Sequence, residues 1–173
     1  MIWVKNILIT GRPRCGKTTM IVRMIGYLNS AGGFFTQELL SGNQRIGFRI
    51  VTLEGEIGIL AKRGFRSIFR LGRYGINLRD LDDVGVAAIE KALENKEVVI
   101  IDEIGKMELF SQRFRRVVLR ALDSNRRVLG TIQQSEDPFL RRIRLRRDTA
   151  ILELRLDNQE AVFRHLREVF YHE

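Results

Sequence analysis

The sequence predicts an α/β fold: a mostly parallel sheet between two layers of helices, with an antiparallel meander inserted after the first helix. Three observations carry that prediction. A glycine-rich loop, Gly11 to Thr18, stands between an apolar run and a stretch with helical spacing. Val98-Val99-Ile100-Ile101 and Val128 to Ile132 are continuously apolar, as strands covered on both faces are. Arg45 to Leu53 instead alternates with period two, and short strands lie on either side of it between turn residues, the mark of hairpins.

Taken in order, Trp3 to Thr10 reads as a buried strand and residues 17–29 as the first helix. Gly32-Gly33 then reads as a left-handed helix stop. Phe34 to Leu40, Arg45 to Leu53 and Ile57 to Ala61 form the meander, broken at Ser41-Gly42-Asn43 and Glu54-Gly55-Glu56. Lys62 to Leu78 is basic, glycine-spaced and aromatic, without a period; it reads as a loop, either one that brings arginines to a ligand or a solvated connection with Phe65, Phe69 and Tyr74 on the core. Arg79 to Glu94 reads as a helix with Asp80, Asp82 and Asp83 at its positive end. The strand Glu97 to Ile101 follows, then a helix over 111–122 with Ser111 as N-cap. Arg127 to Ile132 is a strand. Asp137-Pro138 opens a short helix, Thr149 to Leu156 is a last strand and Asn158 to Tyr171 a last helix.

The chain has 173 residues, a length that suits one domain spanning 1–173. Apolar residues make up 45% and charged residues 29%, ordinary for a water-soluble protein. No apolar run reaches the ~20 residues of a membrane helix, and Met1 leads directly into the first strand, so a cytoplasmic location without membrane partners is expected. Cys15 is the only cysteine, which excludes an internal disulfide, and His165 and His172 are too few and too distal for a Cys/His metal site. Net charge is +9, and Lys106 to Ala150 carries 12 Lys/Arg against 5 Asp/Glu. Such a balance fits phosphate-rich partners: a nucleoside triphosphate, or nucleic acid, for which no recognition motif is present.

The loop Gly11-Arg12-Pro13-Arg14-Cys15-Gly16-Lys17-Thr18 fits G-x-x-x-x-G-K-[ST]. Its backbone N–H groups and the following helix end make a concave anion site, flanked by Thr19. Lys17 supplies a point charge for terminal phosphates, and the Thr18 hydroxyl an oxygen for Mg²⁺. Cys15 reads either as a redox-sensitive thiol or as a small residue that fits. Asp102 ends an apolar strand, where a carboxylate can hold the Mg²⁺ shell, and Glu103 beside it can polarise a water for in-line attack. Thr131 ends the next strand; it resembles the polar sensor of P-loop ATPases, in which that strand lies between the other two, or else is a plain strand end.

At Asp102-Glu103-Ile104-Gly105-Lys106-Met107-Glu108-Leu109 the chain resembles the THEP-type nucleoside-triphosphatases, known from thermophiles and, in animals, as the cancer-related nucleoside-triphosphatase. The likeness includes the second Thr of the loop, Gly47-Phe48-Arg49 and Tyr74-Gly75-Ile76-Asn77. It implies a three-layer P-loop NTPase fold with a RecA-like sheet, acting as a monomer. It also implies slow, Mg²⁺-dependent hydrolysis of ATP, GTP and other triphosphates with little base selectivity. Lys17 and Glu103 inherit catalytic roles and Thr18 and Asp102 metal-holding ones. Lys106 reaches a phosphate or pairs with Glu103 or Glu108. Arg14 stands where the family carries glycine, so a positive φ there would strain the loop. An arginine that neutralises the transferring phosphoryl group would be Arg73, Arg141 or Arg142. Two rivals remain: a small-molecule or polynucleotide kinase with residues 139–147 as an arginine-bearing lid, and a nucleotide-switched nucleic-acid-binding protein.

Overall fold

The computed structural model describes residues 4–171, so Trp3 and His172 lie outside the described residues. In chain order the strands are β1 (Asn6–Thr10), β2 (Ala31–Ser41), β3 (Gln44–Thr52), β4 (Ile57–Arg63), β5 (Arg70–Leu71), β6 (Tyr74–Ile76), β7 (Val98–Ile104), β8 (Arg127–Ile132) and β9 (Thr149–Glu153). The helices are α1 (Lys17–Ile25), α2 (Leu78–Asp80), α3 (Ala87–Asn95), α4 (Gln112–Asp123), α5 (Pro138–Arg144) and α6 (Gln159–Phe170). A π-helical segment, Leu81–Val86, joins α2 to α3, and a 3₁₀ turn, Glu108–Phe110, follows β7.

All the strands form one sheet in the order β5-β6-β4-β3-β2-β7-β8-β1-β9. Its parallel part carries β8 between β7 and β1, the order expected for the Thr131 strand. Alternation along the parallel strands fixes the layers. Ile7, Ile9, Val98 and Ile100 face α1 and α6, while Leu8, Val99 and Ile101 face α3, α4 and α5. Burial on both faces explains why these strands read as continuous apolar runs.

Three expectations change. The first helix stops at Ile25, and Gly32-Gly33 do not cap it; they lie inside β2. Ala31 to Phe34 pair parallel with Val98 to Ile101, and Phe34 to Ser41 pair antiparallel with β3. The meander therefore extends the same sheet, as expected. At Gly33, φ is 112°, and a Cβ there would lie 2.1 Å from the Ile100 carbonyl oxygen, so close strand approach excludes a side chain. The stretch 62–78 is only partly a loop: β4 runs through Arg63, residues 64–69 are irregular, and β5 and β6 pair antiparallel at the sheet edge. Its aromatics pack inward, Tyr74 against Phe48 at 5.5 Å and Phe69 against Phe110 at 5.8 Å between ring centroids.

The helix over 78–95 widens at Leu81–Val86, where Gly85 lets Phe34 and Ile50 come close. Its acidic residues do more than face the helix dipole. Asp80 Oδ2 accepts the Ile59 N–H at 2.8 Å, and Asp82 accepts the Ser111 hydroxyl. Ser111 also caps α4, accepting from Phe114 N–H at 3.0 Å. Adding a methyl at Gly33 tests the crossing of β2 and β7. Gly33→Ala is expected to destabilise the protein by about 2–4 kcal/mol in urea unfolding; an unchanged midpoint would mean that the two strands separate freely.

Candidate active site

The site is assembled where three parallel strands end. The loop after β1 closes with Cys15 N–H on the Arg12 carbonyl at 3.3 Å, and α1 begins with Met20 N–H on Gly16 O at 2.9 Å. Gly16 has φ 98°, and Arg14 has φ 62°, the left-handed conformation that the family pattern fills with glycine. The leading N–H groups of α1 have no intrahelical partner and point into the loop's concavity. Lys17 Nζ donates to the carbonyls of Gly11 and Arg12, each at 3.0 Å.

Facing this loop, β7 breaks register with β8 between Ile101 and Ile104. The irregularity falls on Asp102-Glu103, whose peptide bond is cis. Asp102 is 1% exposed. Its Oδ2 accepts the Thr18 hydroxyl at 2.8 Å and the Thr36 N–H at 3.3 Å, and its Oδ1 accepts the Thr131 hydroxyl at 2.7 Å. Just beyond, three oxygens surround Gly105. A Cβ on that glycine would meet Glu103 Oε1 at 2.9 Å, Gln133 Oε1 at 3.0 Å and Glu108 Oε2 at 3.2 Å. Gln133 Oε1 also accepts the Lys106 N–H at 2.8 Å.

The acids crowd one another. Burial raises Asp102 above the usual carboxylate range, against its three hydrogen bonds and the nearby Lys17 charge. Burial and then the Asp102 charge push Glu103 up to about 7, with Lys17 opposing. Burial and repulsion from Glu103 lift Glu108 well above its ordinary value. Negative charge therefore exceeds what Lys17 neutralises, a condition a cation relieves. Thr18 and Asp102 offer the hard oxygen donors that Mg²⁺ prefers. Among the described residues no three acidic, His or Cys side chains converge as a ligand set. A cation would thus keep waters and phosphate oxygens in its shell, as Mg²⁺ does at phosphate sites.

These groups line a cleft of about 800 Å³. Gly11, Pro13, Arg14, Gly16, Lys17, Thr18, Thr19, Asp102, Glu103 and Lys106 all contribute to it. Arg12 contributes through its carbonyl, with an exposed side chain. Cys15 turns its thiol into the core beside α1 and α6, and its carbonyl accepts from Gln159 Nε2 at 3.0 Å. Thr131 meets Asp102 rather than the cleft. Arg73, Arg141 and Arg142 are exposed and do not line it. In the basic run of α5, Arg144 instead holds the carbonyls of Gln133 and Ser135.

Among the contributors that escape sequence reading are Thr36, Gln133 and Arg45, which line the cleft, and Gln159, which holds the loop at Cys15. Gln133 had a signal, since it follows a strand that ends beside Asp102. Thr36 acts through its backbone, and Gln159 and Arg45 reach the site only through tertiary folding, so no local pattern marks them.

The NTPase family model matches residues 6–167. The nucleoside-triphosphatase THEP1 of Thermotoga maritima is 47% identical over 164 residues, covering 95% of this chain and 94% of that one. The THEP1 of Thermofilum pendens is 42% identical, covering 90% of each. Among solved structures, THEP1 from Aquifex aeolicus superposes with a TM-score of 0.88 at 33% identity, over 96% of this chain and 99% of that one. A human cancer-related nucleoside triphosphatase superposes at 0.75 and 30% identity, over 95% and 96%. With a P-loop facing Asp102 and Glu103 inside this sheet, and relatives matched over nearly their whole length, the chain belongs to the NTPase family.

Proposed function

We propose that the protein hydrolyses nucleoside triphosphates to diphosphate and phosphate, with Mg²⁺ and with little selectivity for the base. The observation that carries this reading is the Thr18–Asp102 hydrogen bond, which sets the phosphate loop directly against the acid pair. The first N–H groups of α1 and the Lys17 ammonium bind the phosphate tail. Lys17 leaves the carbonyls of Gly11 and Arg12 to do so, exchanging two neutral acceptors for anionic ones. Thr18 and Asp102 would hold the metal, which would neutralise charge on the terminal phosphates. Glu103, open to the cleft and next to Asp102, orients water and takes its proton. Every one of these contacts addresses phosphate or solvent, which supports the broad base tolerance.

Phosphate release from ATP, GTP, CTP and UTP, with Mg²⁺ and with chelator, tests the reading: release from all four with metal and none without is expected, and no release from any would overturn it. Within that assay, Lys17→Ala is expected to lose triphosphate binding at concentrations that saturate the parent. Glu103→Gln is expected to keep binding and to slow turnover at least about 100-fold. Full activity in the glutamine variant would remove Glu103 from the mechanism.

Arg14 lines the cleft and makes no hydrogen bond or ion pair with the described residues, so its guanidinium is free to meet phosphate. Arg14→Gly adopts the same φ without strain and removes the guanidinium. Triphosphate affinity is expected to fall about tenfold; equal affinity would make the residue a bystander.

The acids give a pH signature. A carboxyl whose folded pKa is raised contributes stability below its unfolded value and loses it as pH rises through the folded one. For Glu103 that window runs from 4.5 to about 7. In chelator, Tm is expected to drop by about 5 °C between pH 5 and pH 8, and Glu103→Gln should flatten the drop. Added Mg²⁺ should raise Tm more at pH 8 than at pH 5. A metal effect independent of pH would separate the cation from these acids.

A further inference from the structure

Thr131, which the sequence marks as a polar sensor of the phosphate, has other work. It is fully buried, and its hydroxyl is spent on Asp102 Oδ1. Two residues on, where the chain leaves β8, stands Gln133. It is half-buried and lines the cleft together with Lys17, Glu103 and Glu108. Neither the phosphate loop nor the acid pair uses it as described so far.

Gln133 is held from three sides. Its N–H donates to the Ile104 carbonyl at 3.0 Å, and its own carbonyl accepts from Arg144 Nη1 at 3.3 Å. Its side-chain Oε1 accepts the Lys106 N–H at 2.8 Å. That last bond fixes which way the amide faces, because only its oxygen can accept an N–H. Both N–H donors of Nε2 remain, and among the described residues they meet no acceptor. The Cβ position of Gly105 lies 3.0 Å from Gln133 Oε1 and 2.9 Å from Glu103 Oε1. The amide therefore shares one corner of the cleft with the carboxyl that faces the attacking water. A neutral donor suits that corner: an ammonium or guanidinium would pair with Glu103 and Glu108 and weaken the base, whereas an amide brings N–H groups without charge.

We propose that Gln133 is a catalytic residue whose Nε2 donates a hydrogen bond to an oxygen of the transferring phosphoryl group. Water oxygen bonds to the γ-phosphorus while the bond to the β–γ bridging oxygen breaks. The water's proton goes to Glu103, the diphosphate leaves with the bridging oxygen, and the amide keeps its own protons. During transfer the phosphorus moves from the diphosphate toward the water, and so toward this corner. The Gln133 bond is then stronger in the transition state than in the bound substrate, which is the condition for raising the rate rather than the affinity. The inference rests on the NTPase reading of the same site.

The test compares the full-length protein with Gln133→Met and Gln133→Glu, using Mg²⁺ and ATP. Titration with ADP counts the folded sites, so that kcat is expressed per site. Both variants are expected to lower kcat about 100-fold, and Gln133→Met to leave KM within about threefold of the parent. ADP with aluminium fluoride, which mimics the phosphoryl group in flight, is expected to bind Gln133→Met about 100-fold more weakly than it binds the parent, with affinity for ADP alone unchanged. Gln133→Glu keeps an acceptor for the Lys106 N–H and loses the donor, so parent kcat in that variant would show that the residue only holds the turn, and would overturn the proposal. Parent kcat in Gln133→Met would overturn it too, as would equal weakening of ADP and of ADP with aluminium fluoride. Each of those results leaves hydrolysis by the parent intact, whereas no phosphate release by the parent would sink the NTPase reading itself.

Discussion

One carboxylate holds the working end of this molecule together. Asp102 on β7 accepts from Thr18 at the start of α1, from the backbone of Thr36 on β2 and from Thr131 on β8. Three other elements, α1, β2 and β8, thus converge on two oxygen atoms of β7. An isolated charge buried this deeply is prohibitive, so the fold is obliged to bring those donors to it, and in doing so it sets the phosphate loop at a fixed distance from β7.

The two halves of the sheet divide the labour on physical grounds. Parallel strands must be joined by crossovers, and their carboxyl ends collect at one edge. That edge is where Gly11, Asp102 and Thr131 meet. The antiparallel strands β2 to β6 need only short turns, so they extend the sheet sideways past that edge at little cost in chain. β2 belongs to both halves: its first residues pair with β7 and its remainder with β3. This double membership turns the meander into a wall of the cleft. It also accounts for the misread glycines, because a glycine needed for close strand approach looks in sequence like one that ends a helix.

What was legible in the sequence follows the range of the interactions. The phosphate loop, the Asp102-Glu103 pair, the Ser111 cap and the Pro138 helix start are local devices, complete within a few residues, and each appears where the pattern put it. Thr36 lies 66 residues from Asp102, and Gln159 lies 144 from Cys15; such partners are chosen by topology, which no window of sequence contains. The basic run 139–147 read as a phosphate lid in the kinase alternative and otherwise as a solvated helix face; Arg141 and Arg142 are exposed, Arg144 is spent on carbonyls after β8 and Arg146 on Asp123 and Asp148. Charge alone does not say whether an arginine faces a ligand or its own backbone.

The acids beyond Asp102 show how the cleft concentrates negative charge. Glu103, Glu108 and Gln133 crowd their oxygens around the bare Cα of Gly105, and only a glycine leaves them that space. Burial and mutual repulsion oppose ionisation of both carboxyls, while the Lys17 charge opposes that shift at Glu103. A further positive charge brought beside them would lower the cost of ionising Glu103, because burial and the Asp102 charge are what raise it.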